Sequence, residues 1–202
     1  METEEFRDRM KMKKQILLTE LLEEAGSIAV VQTTLPAEAV VIARRLFANG
    51  VKAMEIAYRD RENYEGSDEC IRAIRDEVPE ILVGAATITS SKLARRAIKS
   101  GAQFILTAGF NPETVKYCVC RDFPIFPGVA TPGEIEQAME FGLYALKLFP
   151  VEILGGVKYL KALSGPYADC KFIVTGGIND ENVSQYKDCE NVLAVSGSFL
   201  CR

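Results

Sequence analysis

Histidine and tryptophan are both absent from the 202 residues. Without histidine, the commonest metal ligand and the side chain that titrates nearest neutral pH are excluded. Acid–base or nucleophilic work must then fall to carboxylates, lysine or another polar side chain. The six cysteines (Cys70, Cys118, Cys120, Cys170, Cys189 and Cys201) are scattered, with no disulfide-framework spacing. Cys118 and Cys120 lack the further partners a four-ligand zinc site needs. Reduced thiols, a cytoplasmic location and no metal or cofactor are the expectation. Long apolar runs are missing too, and none approaches the ~20 residues of a membrane span. The formal net charge is −4 with both signs interspersed, which argues against nucleic acid or an anionic membrane as partner. The first residues mix Glu2, Glu4 and Glu5 with Arg7, Arg9, Lys11, Lys13 and Lys14. They hold no apolar stretch ending in a cleavage site and are not read as a signal peptide.

What is present is a hydrophobic content of 48%, enough for one substantial core, so a single domain over residues 1–202 is expected. Glu4 to Glu24 has helical periodicity with an apolar stripe of Ile16, Leu17, Leu18, Leu21 and Leu22. After Gly26 short apolar runs alternate with helix signals. The runs are Ile28–Val31, Ala53–Ala57, Ile81–Ala86, Phe104–Thr107, Ile125–Pro127, Tyr144–Phe149, Phe172–Thr175 and Val192–Ser196. They do not alternate with polar residues, the texture of parallel strands buried on both faces. Helix starts are expected at Thr131-Pro132-Gly133-Glu134, Asn111-Pro112-Glu113, Ser67-Asp68-Glu69 and Asn179-Asp180-Glu181. Gly50 and Gly101 have the placing of glycines just past a helix end. Eight such strands predict an α/β fold of the (β/α)8 TIM-barrel type over residues 28–202, with residues 1–25 as an extra helix. The C-terminus is short: only Gly197 to Arg202 follow the last strand, so the N-terminal helix is expected to cover part of the exposed barrel wall.

Function in such a barrel collects at the C-terminal strand ends. Those ends carry Gln32, Glu55 with Arg59, Thr87, Thr107, Pro127, Lys147, Gly176-Gly177 and Gly197-Ser198. Lys147 is flanked by Ala145, Leu146, Leu148 and Phe149. Alone it could be a strand-end lysine reaching for solvent. Burial instead disfavours the ammonium form and favours a free amine able to attack a carbonyl. Glu55, in Met54-Glu55-Ile56, is either a simple ion-pair partner or the proton shuttle for that nucleophile. The glycine pairs sit where backbone amides can approach a phosphate, although two tight turns would look the same.

Together Met54-Glu55-Ile56-Ala57-Tyr58-Arg59, Gly84-Ala85-Ala86-Thr87, Phe126-Pro127-Gly128-Val129-Ala130-Thr131-Pro132, Leu146-Lys147-Leu148-Phe149-Pro150 and Thr175-Gly176-Gly177 resemble the 2-keto-3-deoxy-6-phosphogluconate (KDPG) aldolases. That group includes bifunctional enzymes acting on 4-hydroxy-2-oxoglutarate. The resemblance implies a class I aldolase that cleaves a 2-oxo-4-hydroxy acid to pyruvate and an aldehyde. It places Lys147 on the Schiff-base lysine and Glu55 on the catalytic glutamate. Arg59, Thr87 and Phe149 fall on the pyruvate pocket, and Gly176, Gly177 and Ser198 on the phosphate site, to which the strand-end reading adds Gly197. A homotrimer and the absence of a cofactor are implied as well. The chain departs from the family pattern at Gln32, Ala86 and Thr107-Ala108, which bears on substrate identity. The rival readings are a phosphate-binding barrel without a covalent intermediate and a silent barrel with a binding or assembly role.

Overall fold

The computed structural model describes residues 12–202; the part of the expected N-terminal helix before Met12 lies outside the described residues. The described residues form nine parallel strands: β1 (Ser27–Val31), β2 (Ala53–Ala57), β3 (Leu82–Ile88), β4 (Ile105–Thr107), β5 (Ile125–Phe126), β6 (Gly128–Val129), β7 (Ala145–Leu148), β8 (Lys171–Thr175) and β9 (Val192–Gly197). The helices are α1 (Lys13–Ala25), α2 (Pro36–Ala48), α3 (Tyr64–Glu77), α4 (Ser91–Lys99), α5 (Pro112–Val119), α6 (Pro132–Glu140), α7 (Gly156–Ser164) and α8 (Val183–Lys187). A 3-10 turn, Ser198–Cys201, ends the chain.

The sheet runs β5-β4-β3-β2-β1-β9-β8-β7-β6. Its two terminal strands are the halves of one stave, parted by Pro127, so the ring counts eight staves as expected. Proline has no N–H for the ladder and interrupts it. The Pro127 carbonyl still accepts a hydrogen bond from the Lys147 amide at 2.9 Å, which keeps the broken stave joined to β7. On its other side the Gly128 amide donates to Thr107 Oγ1 at 2.7 Å. A Cβ on Gly128 would lie 2.7 Å from the Ala108 backbone, so only glycine allows this approach.

Each stave alternates between two apolar environments, and that is why the strands read as unbroken apolar runs. Met54 and Ile56 join the larger core shared with the helices. Ala53 joins Ile28, Phe104, Leu106, Phe126, Ile173 and Ala194 in the smaller core. Phe104 and Phe126 meet there edge to face, with centroids 6.1 Å apart. Gly84 makes room for Phe104, whose ring would lie 2.2 Å from a Cβ at that position.

Helix α1 packs against β1 and β9, the first and eighth staves, at the floor of the barrel. Leu22 is fully buried in the smaller core, and Gln15 Oε1 accepts from the Ile125 amide at 2.8 Å. Lys52 and Lys171, at the starts of their strands, pair with Glu24 and Glu23. Ile16 and Leu17 of the expected stripe stay exposed, because Gln15 and Leu22 define the face that docks. The 3-10 turn packs onto the barrel, with Phe199 buried and Arg45 donating to the Cys201 carbonyl.

The Thr131 capping box and the Asn111 cap form as read. Two helix starts differ. Helix α3 begins at Tyr64 with Asn63 as its cap, so Ser67 and Asp68 lie inside the helix and buried. Asn179 caps no helix: its side chain accepts from the Glu181 and Asn182 amides in a turn, and α8 begins at Val183.

Candidate active site

Strands β2 and β7 each present one charged side chain to the barrel interior. Glu55 is 1% exposed and Lys147 6%. Lys147 Nζ stands 3.7 Å from Glu55 Oε1, an ion-pair distance too long for a good hydrogen bond. The two border a cavity of about 370 Å3 lined also by Val30, Arg59, Thr87, Ala108, Phe149 and Thr175. Five of the residues singled out in the sequence (Glu55, Arg59, Thr87, Lys147 and Phe149) thus converge on one cavity. Two cavities of about 420 Å3 lie elsewhere, one lined by Lys161, Asp188 and Glu190, the other by Lys92, Arg95, Arg96 and Lys99. Neither contains a buried pairing of amine and carboxylate.

Burial holds the Glu55 carboxyl above the usual carboxylate range; Lys147, then Arg59, then the Ser196 hydroxyl oppose that rise. Its Oε2 has no hydrogen-bond partner among the described residues. A buried carboxyl of raised proton affinity thus stands beside a buried amine, an arrangement chemically able to pass a proton between them.

Arg59 follows the end of β2, and two anchors fix that segment. The Tyr58 amide donates to the Ala86 carbonyl at 2.9 Å. The buried Tyr58 hydroxyl donates to Asp68 Oδ1 at 2.8 Å, and Asp68 Oδ2 in turn pairs with Arg96 at 2.5 Å. Burial first, then Asp68, pushes the Tyr58 phenol far up, so it stays protonated as a donor. Asp68, read from sequence as part of a helix start, instead supports the cavity wall. Arg59 Nη1 donates to Gln32 Oε1 at 3.1 Å. Gln32 itself borders a separate small cavity with Thr33, Thr34, Ala57 and Asp60.

Thr87 has φ of 60°, a left-handed conformation that is an outlier for a β-branched residue and costs about 1–3 kcal/mol. The β3–β4 register shifts between Ala85 and Ile88, so a bulge turns the Thr87 position into the cavity. No sequence pattern marks this.

The four remaining candidates do not line the cavity. Gly176 and Gly177 follow β8 with φ of 95° and 90°, which glycine alone adopts at little cost. A Cβ on Gly176 would meet Pro150 Cα at 2.9 Å, and one on Gly177 would meet the Glu152 side chain at 2.6 Å. Thr175 pairs with Ser196 across β8 and β9, so Gly197 and Ser198 emerge beside the two glycines. Val30, Ala108 and Thr175 were not singled out as site residues. Thr175 could have been found, since it directly precedes the glycine pair.

Among the described residues, no cluster of three or more Asp, Glu or Cys side chains could hold a metal ion. None of the six cysteines is paired, and burial pushes the Cys118 thiol up to about 12. No helix among the described residues is long and apolar enough to cross a membrane.

The family model for KDPG and KHG aldolases matches residues 18–202. A 2-dehydro-3-deoxy-phosphogluconate aldolase of Treponema pallidum is 40% identical over 185 residues, covering 92% of this chain and 86% of that protein. The KHG/KDPG aldolase of Escherichia coli K12 is 37% identical over 162 residues, 80% of this chain and 74% of its own length. Among solved structures, the KDPG aldolase of Legionella pneumophila superposes with a TM-score of 0.84 at 28% identity, covering 90% of this chain and 86% of that one. That crystal structure holds pyruvate captured at low pH as a covalent carbinolamine intermediate.

Proposed function

The chain belongs to the KDPG and KHG aldolase family, and from that premise we propose that it is a carbon–carbon lyase in which Lys147 and Glu55 carry the chemistry. The observation that carries this reading is the buried Lys147–Glu55 pair, 3.7 Å apart at the C-terminal strand ends. The substrate is a 2-oxo-4-hydroxy acid. The Lys147 amine adds to the C2 carbonyl to give a carbinolamine, the species the Legionella structure captured with pyruvate. Glu55, its proton affinity raised by burial, delivers a proton to the departing hydroxyl, and water leaves the Lys147 iminium. Glu55 then accepts the C4 hydroxyl proton, directly or through one water. The C3–C4 bond breaks, its electrons pass into the iminium, and the aldehyde departs from an enamine of pyruvate. Protonation at C3 and hydrolysis return Lys147 and release pyruvate.

Arg59 and Thr87 hold the pyruvyl carboxylate, and Phe149, with its ring centroid 6.0 Å from Lys147 Nζ, helps keep water from the amine. Gly176, Gly177, Gly197 and Ser198 receive the phosphate of a phosphorylated substrate, which makes 2-keto-3-deoxy-6-phosphogluconate the preferred one and 4-hydroxy-2-oxoglutarate the slower. The chain works as a single domain and, by family likeness, as a trimer. Incubation with pyruvate and borohydride tests the central step: a reduced pyruvate adduct should appear on Lys147 and vanish in Lys147→Arg, whose guanidinium stays protonated. An adduct on another lysine, or none, refutes the reading.

A further inference from the structure

Two buried polar atoms at the proposed site are unpartnered among the described residues: Glu55 Oε2 and Ser196 Oγ. Ser196 is fully buried on β9, in register with Ile28 of β1, and Val30 two residues on pairs with Glu55 of β2. β1 alone therefore separates the two side chains around the barrel. The Ser196 hydroxyl lowers the proton affinity of the Glu55 carboxyl, yet its oxygen has no hydrogen-bond partner among the described residues.

A buried hydroxyl with no partner is costly and rare, and so is a buried carboxylate oxygen with none. Each supplies what the other lacks, since serine has a rotatable O–H donor and an ionised carboxylate only accepts. We propose that Ser196 is a positioning residue for Glu55: when the carboxyl ionises, the Ser196 hydroxyl donates to Oε2, leaving Oε1 turned toward Lys147 and substrate. This rests on the aldolase reading above. It divides the labour at the carboxylate. One oxygen is held and the other exchanges protons, so Glu55 cannot turn away from the amine during the two transfers asked of it. The charged groups that face Glu55 among the described residues are Lys147 from β7 and Arg59 beyond β2. Neither lies on β9, so the loss of Ser196 removes no charge.

The test is the pH profile of kcat/KM, which reports the free enzyme's essential groups, for wild type, Ser196→Ala and Ser196→Thr. Removing a hydrogen bond to an ionised carboxylate should move the acid limb of Ser196→Ala up by about one pH unit. Ser196→Thr keeps the hydroxyl and should return the limb to its wild-type place. Both variants should still trap pyruvate on Lys147 under borohydride, which also shows that each is folded and holds its nucleophile. Should Ser196→Thr not accommodate its extra methyl, Ser196→Cys, with a far weaker donor, should behave as Ser196→Ala does. Normal trapping in Ser196→Ala with an unmoved acid limb overturns the role of Ser196 alone. A wild-type protein that traps no pyruvate overturns the aldolase reading and this role with it.

Discussion

Glu55 shows how one residue can serve the site against the fold. Burial raises its carboxyl above the ordinary carboxylate range even after Lys147, Arg59 and Ser196 have lowered it. The folded chain therefore binds that proton more tightly than the unfolded chain does. The resulting stabilisation is complete below the unfolded carboxyl's value and is lost as pH rises through the folded one. Above that folded value the ionised Glu55 weakens the fold. Glu55→Gln copies the protonated form, so its Tm at pH 8 should exceed that of the wild type, by about 2–4 °C for each kcal/mol recovered. The gap should close as pH is lowered toward 4. Lyase activity should fall by about 10²–10⁴-fold, the usual worth of a positioned general acid–base. Thermal unfolding of both proteins at the two pH values is the measurement; a lower Tm for the variant at pH 8 would mean that attraction to Lys147 outweighs burial.

At the scale of elements, the staves were readable because parallel strands buried on both faces leave continuous apolar runs, and Lys147 and Glu55 stood out against those runs. What escaped notice came from tertiary contact. Pro127 splits the fifth stave, yet only the Thr107 and Lys147 bonds on either side show how the ring stays joined. Asp68 resembled a capping residue because Asp favours helix starts, but its partners Tyr58 and Arg96 lie on other elements. The left-handed Thr87 depends on a register shift between β3 and β4, which no local pattern encodes. The β8 and β9 ends were legible as glycine pairs, and register places them side by side. If these ends take a phosphate, a carboxylate at Ser198 should repel it, and like charges about 4 Å apart near a surface cost about 1–4 kcal/mol. Ser198→Asp should therefore lose about tenfold or more in kcat/KM for 2-keto-3-deoxy-6-phosphogluconate while sparing 4-hydroxy-2-oxoglutarate. Steady-state kinetics on both substrates decides it, and an equal loss on the two would remove the phosphate from these loops.

Across the whole molecule, the two ends of the barrel have separate duties. The mouth holds a strained threonine and a buried ion pair, neither of which favours folding. The floor is mostly apolar and closed by α1, whose Leu22 is fully buried among Ile28, Ala53, Ile173 and Ala194. A barrel that spends stability at its mouth must recover it in such packing, and conserving the floor's volume should matter to stability far more than to rate. Leu22→Ala removes buried methyl groups and leaves a cavity in the smaller core, at a cost of about 2–5 kcal/mol. For a chain of this length the Tm should drop by about 5–15 °C. The mouth residues sit on the strands or just beyond their ends, not on α1, so kcat/KM per folded molecule should stay unchanged below the new Tm, and pyruvate should still be trapped on Lys147. Glu55→Gln should do the reverse, gaining Tm and losing rate. Calorimetry and lyase assays on the two variants side by side measure both halves. A Leu22→Ala protein that keeps its Tm would mean that α1 rests on the floor without sealing it, and one that loses rate while still folded would mean that the floor packing sets the geometry of the mouth.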